Sequence, residues 1–258
     1  MAGNFLHRLF SLAPPAVIIA GAMRYAAQKG TSNAIRAKFS GLSPLIVLVL
    51  VLLTSGIATA QEEISPPSGK GRLVVVVSGQ SGPDHYRDVA SNIAALGYDV
   101  VLFDGNPMEG THGQALRAAI VQAQQMPHAL PGKIGLVGFS LGGAIVLGFG
   151  SGWSDQVAVV AAWYPATSAF KDVPGWASRL TVPVVMFAGE ADTYRDCCLI
   201  GKAHEIAEAA KAANAQFELT TYPDTDHDFV IGGSHYNPQS YSDAFTRTEA
   251  ALKRYLGN

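Results

Sequence analysis

Leu73-Val74-Val75-Val76-Val77 is an unbroken, mostly β-branched run flanked by glycine-containing turns. A strand with one wet face alternates apolar and polar residues, so a run without alternation predicts a strand covered on both faces. The rest of the chain repeats this theme. His85 to Leu96 reads as a helix, with Val89, Ile93 and Leu96 on one stripe and Gly97 as its stop. Strands are expected at residues 100–103, 133–137, 157–161, 182–187 and 217–222. Helices are expected at 114–125, 141–147, 203–213 and 241–256. Strands alternating with helices of this length predict βαβ units, hence a mostly parallel, doubly wound α/β sheet with helices on both faces. Residues 72–258 are therefore read as one α/β domain, whose chemistry belongs just beyond the carboxyl ends of the strands.

The front of the chain breaks this pattern. Residues 1–60 hold Arg8, Arg24, Lys29, Arg36 and Lys38 and no acid, although the whole chain has a net charge of −2. The apolar run from Leu45 to Leu53 follows the basic residues and precedes Ala58 and Ala60, small residues that suit a signal-peptidase cut. The run is shorter than the roughly 20 residues of a spanning helix. Residues 1–60 are thus expected to be a targeting segment cleaved after about Ala60. That yields a secreted or periplasmic protein with no stable membrane insertion after cleavage; a membrane anchor is the alternative. Residues 61–71, with Ser65-Pro66-Pro67-Ser68-Gly69, read as a linker.

The remaining 13 bases and all 20 acids leave the body acidic, which disfavours nucleic acid as a partner. Export implies an oxidising compartment, yet the only cysteines are the adjacent Cys197 and Cys198. Neighbours cannot staple distant parts of a chain. Small, partly buried thiols are expected, with a vicinal disulfide as the alternative.

The strand at 133–137 runs into Gly138-Phe139-Ser140-Leu141-Gly142-Gly143 and directly into a helix. In G-x-S-x-G a nucleophile sits on a sharp strand-to-helix turn, where side chains on the flanking positions would strike backbone. The helix after the turn offers free N–H groups to developing negative charge. Ser140 is therefore the candidate nucleophile. A serine hydroxyl needs a base, and the base an orienting acid, in the chain order Ser, Asp or Glu, His. The strand at 182–187 ends at Gly189-Glu190-Ala191-Asp192, and the strand at 217–222 leads to His227. Asp192 is the expected acid, with Glu190 its rival; His227 is the expected base, with His235 the fallback. Asp224, Asp226 and Asp228 crowd His227 and are expected to stay solvated. The oxyanion hole is expected from the backbone N–H groups of Leu141 and Gln80, with Ser81 second to Gln80.

Together, the Gly138–Gly143 elbow, Ala161-Ala162-Trp163-Tyr164-Pro165, Gly189-Glu190-Ala191-Asp192, and Tyr222-Pro223 leading to His227 and Phe229 resemble the α/β-hydrolase fold, and within it the dienelactone hydrolase-like family. The resemblance covers roughly residues 72–257. It implies an α/β-hydrolase sheet and a substrate cleft at the nucleophile. One departure matters: true dienelactone hydrolases carry a cysteine as nucleophile, and this chain has Ser140. The expectation is a serine hydrolase cleaving small carboxylic esters or lactones through an acyl-enzyme. No cofactor is needed, no metal-ligand spacing such as H-E-x-x-H is present, and no insertion is long enough for a large lid domain. A peptidase or thioesterase with the same triad, and a non-catalytic exported binding domain, are the alternatives.

Overall fold

The computed structural model describes residues 61–257; the readings for residues 1–60 lie outside the described residues. Seven strands form one sheet: β1 (Gln61–Ile64), β2 (Gly71–Val77), β3 (Asp99–Phe103), β4 (Ala129–Phe139), β5 (Val157–Trp163), β6 (Val184–Gly189) and β7 (Phe217–Tyr222). Their order across the sheet is β1-β3-β2-β4-β5-β6-β7. Every neighbouring pair from β3 to β7 is parallel. The strand order reverses beside β2 and β4, the place where an open α/β sheet parts its loops to leave a crevice.

Helices cover both faces. On one side, α1 (Arg87–Ala95) and α6 (Pro238–Tyr255) pack on Val74, Val76, Val100, Leu102, Val137 and Phe139. On the other side lie α2 (Gln114–Ala123), α3 (Leu141–Gly148), α4 (Val173–Ala177) and α5 (Ile200–Ala212), over Leu73, Val75, Val77, Val101, Phe103 and Leu136. Successive residues of β2 and β3 thus enter different cores, which is why Leu73 to Val77 must be apolar throughout. The connection from β5 to β6, residues 164–183, holds only α4 and a short 3-10 turn. No large lid is present among the described residues.

The expected linker at 61–71 needs correction at its start. Gln61–Ile64 is an antiparallel edge strand, paired with β3 from Gln61↔Phe103 to Ile64↔Val100. Gln-Glu-Glu-Ile carries one apolar residue, so periodicity gives no sign of it. A polar edge strand is tolerated because it needs a partner on one side only. The turn between β1 and β2 is closed by the Gly69 N–H donating to the Pro66 carbonyl.

Candidate active site

The nucleophile elbow is a problem of space. A Cβ at position 142 would come within 2.3 Å of the Val77 carbonyl oxygen. Glycine is what allows the start of α3 to lie against the end of β2. Between Gly138 and Gly142, Ser140 is held at φ 50°, ψ −113°. A non-glycine residue at positive φ costs on the order of 1–3 kcal/mol, and it persists only where its surroundings over-determine it. Here they do. The Ser140 N–H donates to the Trp163 carbonyl, and the Ser140 carbonyl accepts from the N–H groups of Ala144 and Ala166.

The loops after β6 and β7 bring the remaining candidates to this point. A side chain at Gly189 would come within 2.2 Å of the Thr225 carbonyl oxygen, so glycine permits the acid loop and the histidine loop to touch. The Ala191 N–H then donates to the Thr225 carbonyl and the Glu190 N–H to the Tyr222 carbonyl. Across this junction, His227 Nδ1 lies 2.7 Å from Asp192 Oδ2 and His227 Nε2 lies 2.9 Å from Ser140 Oγ. Because a carboxylate only accepts, Nδ1 carries the hydrogen, which leaves the Nε2 lone pair facing the serine hydroxyl. The other oxygen of Asp192 accepts the Tyr194 N–H at 3.0 Å. Asp192, His227 and Ser140 are all buried.

The rivals stand elsewhere. Glu190 accepts a hydrogen bond from Thr221 Oγ1 on the surface. His235 pairs with Asp226 Oδ2 at an exposed site. Asp226 Oδ1 accepts the His227 N–H at 2.7 Å, so that carboxylate braces the histidine backbone. Asp228 departs from expectation. The side chain is only half-solvated: its Oδ1 is buried, has no hydrogen-bond partner among the described residues, and lies 3.8 Å from His227 Nε2. Asp228 also takes a left-handed φ of 57°. Burial, the dominant cause, raises its pKa above the ordinary carboxyl value, although the neighbouring His227 acts in the opposite direction.

The two residues expected to supply oxyanion donors, Gln80 and Leu141, lie in the turn after β2 and directly after Ser140. The Gly79–Gln80 turn passes beside Ser140, since a Cβ on Gly79 would lie 3.1 Å from the Ser140 Cβ. Among the described residues, neither the Gln80 nor the Leu141 N–H donates to a backbone carbonyl.

Several neighbours of the imidazole carry little sequence signal. Tyr194 stacks on it, with ring centroids 4.7 Å apart and planes within 6°. Tyr164 meets it edge-on at 4.9 Å. Cys197 and Cys198 form a disulfide, which corrects the expectation of two thiols. Both sulfurs lie within 4.8 Å of a ring nitrogen of His227. The Cys197 carbonyl accepts from the Ser168 N–H at 2.8 Å and from Thr167 Oγ1 at 3.3 Å, which clamps the acid loop to the segment after β5. The Tyr164-Pro165 pair and the doubled cysteine were the available hints, but only the folded rim shows what they touch.

The sequence model of the Dienelactone hydrolase family matches residues 106–256, a stretch that contains Ser140, Asp192 and His227. The chain belongs to the dienelactone hydrolase family. A relative from Synechocystis sp. named "Putative carboxymethylenebutenolidase" is 24% identical over 226 residues, covering 73% of this chain and 88% of the relative. Among solved structures, the "Putative Dienelactone Hydrolase from Klebsiella pneumoniae subsp. pneumoniae MGH 78578" superposes with a TM-score of 0.67 at 21% identity. The match covers 78% of this chain and 95% of that one. A dienelactone hydrolase-like promiscuous phosphotriesterase from metagenomic libraries gives 0.65 at 17% identity, over 77% and 94% of the two chains. At these identities the structural likeness establishes the α/β-hydrolase fold. This dienelactone hydrolase family member thus combines a hydrolase-family sequence with a serine at the elbow.

Proposed function

We propose that this family member is an exported serine esterase acting on small carboxylic esters or lactones. The observation that carries the reading is the continuous hydrogen-bonded line from Asp192 through His227 to Ser140 at 2.7 and 2.9 Å. In the proposed reaction, Ser140 Oγ attacks the acyl carbon while His227 Nε2 takes its proton. Asp192 holds the imidazole tautomer and stabilises the imidazolium that forms. The N–H groups of Leu141 and Gln80 receive the oxyanion, worth about 3–4 kcal/mol per donor when such a donor is removed. His227 then gives its proton to the leaving alcohol. Water, activated by the same histidine, releases the acid from the acyl-enzyme.

Export is part of the proposal. It rests on the basic, acid-free front of the chain, the apolar run from Leu45 to Leu53, and the small residues before Gln61. A Cys197–Cys198 disulfide is chemistry suited to an oxidising compartment. Sequencing the amino terminus of the protein recovered from its source cells tests this: a start at or near Gln61 supports it, and an intact front refutes it.

Hydrolysis of short-chain p-nitrophenyl esters tests the chemistry. Ser140→Ala should lower kcat by on the order of 10⁵–10⁶-fold, the scale seen when a triad nucleophile is removed. Equal turnover by parent and variant would overturn the assignment of Ser140.

A further inference from the structure

The end of the sheet opposite the catalytic rim holds a second cluster of titratable groups. Asp99 opens β3 and is fully buried, yet among the described residues neither of its carboxylate oxygens has a hydrogen-bond partner. Buried carboxylates are normally paired, hydrogen-bonded or bound to a metal, so two orphaned oxygens on one side chain call for an explanation. The β1–β3 register supplies two candidate companions. Glu63 on β1 lies opposite Val101, and residues two apart on a strand share a face, so Glu63 and Asp99 point to the same side. His128 arrives from the turn just before β4, with its Nδ1 3.0 Å from Glu63 Oε1 and 3.2 Å from Ser65 Oγ. One ligand atom from each of Glu63, Asp99 and His128 lies within 4.8 Å of the other two.

We propose that Glu63, Asp99 and His128 form a three-ligand binding site for a divalent first-row transition-metal cation of the zinc type. One imidazole nitrogen and two carboxylate oxygens are a donor set that such ions accept, at metal–ligand distances of about 2.0–2.2 Å. Calcium and magnesium fit less well, because they favour more numerous, all-oxygen ligands. A dication matches the two carboxylates in charge and gives the Asp99 oxygens the partner they lack. It also joins three segments distant in sequence, fastening the edge strand β1 to β3 and to the start of β4. No spacing rule finds such a site, because its ligands are 36 and 29 residues apart. The cluster of Cys197, Cys198 and His227 is no rival: its sulfurs are bonded to each other and both His227 ring nitrogens are engaged.

The site is independent of the esterase reading, and its test needs no substrate. The purified full chain, stripped with chelator and exchanged into metal-free buffer, is titrated with Zn²⁺ by calorimetry and with Co²⁺ by visible absorption. The expected result is one saturable equivalent, cobalt bands of an N/O-ligated ion, and a melting temperature raised by roughly 5–10 °C at 100-fold excess over Kd. Asp99→Asn, Glu63→Gln and His128→Gln should each weaken binding at least about tenfold. Ser140→Ala and His235→Gln should bind as the parent does. Glu63 and His128 are only partly buried, so their conservative variants report on binding even if Asp99→Asn folds poorly. Absence of a saturable equivalent, or binding indifferent to all three ligand variants, overturns the site.

Discussion

Ser140 is held in a conformation its own backbone disfavours, and the hydrogen bonds to Trp163, Ala144 and Ala166 hold it there. Gly142→Ala would drive a methyl group into the Val77 carbonyl, forcing the elbow off β2. The expected outcome is a loss of about 1–3 kcal/mol in stability and a collapse of ester turnover, measured by thermal melts and steady-state kinetics. The acid can be tested as sharply. Asp192→Asn should lower kcat by on the order of 10⁴-fold, because an amide stabilises the wrong histidine tautomer, while Glu190→Gln should leave it unchanged. A reversed pattern would move the acid to Glu190. At this scale the sequence anticipated which three side chains would meet. Ser140, Asp192 and His227 each follow a strand, and parallel strands deliver their following loops to one rim. What it lacked was orientation. The buried Oδ1 of Asp228, and the faces of Tyr164 and Tyr194 against the imidazole, depend on packing that no spacing encodes.

Among elements, the acid loop is the piece whose chemistry is least usual. A disulfide between neighbours closes almost no chain, so it constrains the unfolded state little and contributes little stability by that route. Its position is what matters: the sulfurs lie beside His227, and the Cys197 carbonyl is held by Thr167 and Ser168. Reduction should therefore free the Tyr194–Asp192 segment more than it unfolds the protein. The expected outcome is a several-fold drop in kcat/KM on adding a dithiol reductant, with a melting shift of only about 2 °C or less. A Cys197→Ser, Cys198→Ser double variant should show the lowered activity and no response to reductant. Unchanged activity on reduction would mean that the disulfide is incidental to the site. Element boundaries were largely legible, because the apolar periods of β2 to β7 and the helices are strong. The edge strand β1 was not, since a four-residue polar strand owes its existence to β3 rather than to its own pattern.

For the molecule as a whole, a doubly wound sheet puts its two ends to different uses. One end gathers loops around Ser140 beside the half-buried Asp228, and the other holds the fully buried Asp99. Burial, aided by the charge of Glu63, pushes the Asp99 pKa up to about 6, with His128 acting in the opposite direction; burial also raises that of Asp228. A carboxyl whose native pKa is raised holds its proton more tightly folded than unfolded. Its contribution to stability is therefore complete below the unfolded value of about 3.9 and lost as pH rises through the native value. In chelator-treated protein, Asp99→Asn should remove a stability decline between about pH 4 and pH 6, seen as a smaller fall in melting temperature than the parent shows. A parallel profile for parent and variant would contradict the raised pKa.

The esterase reading stands or falls on whether Ser140 is an activated nucleophile, and that can be measured without any guess about substrate. The full chain is treated with a fluorophosphonate probe, and the adduct is located by peptide mass mapping. A stoichiometric adduct on Ser140 that disappears in His227→Ala is expected. A folded protein that takes no label at Ser140, or that is labelled equally well without His227, would contradict the triad.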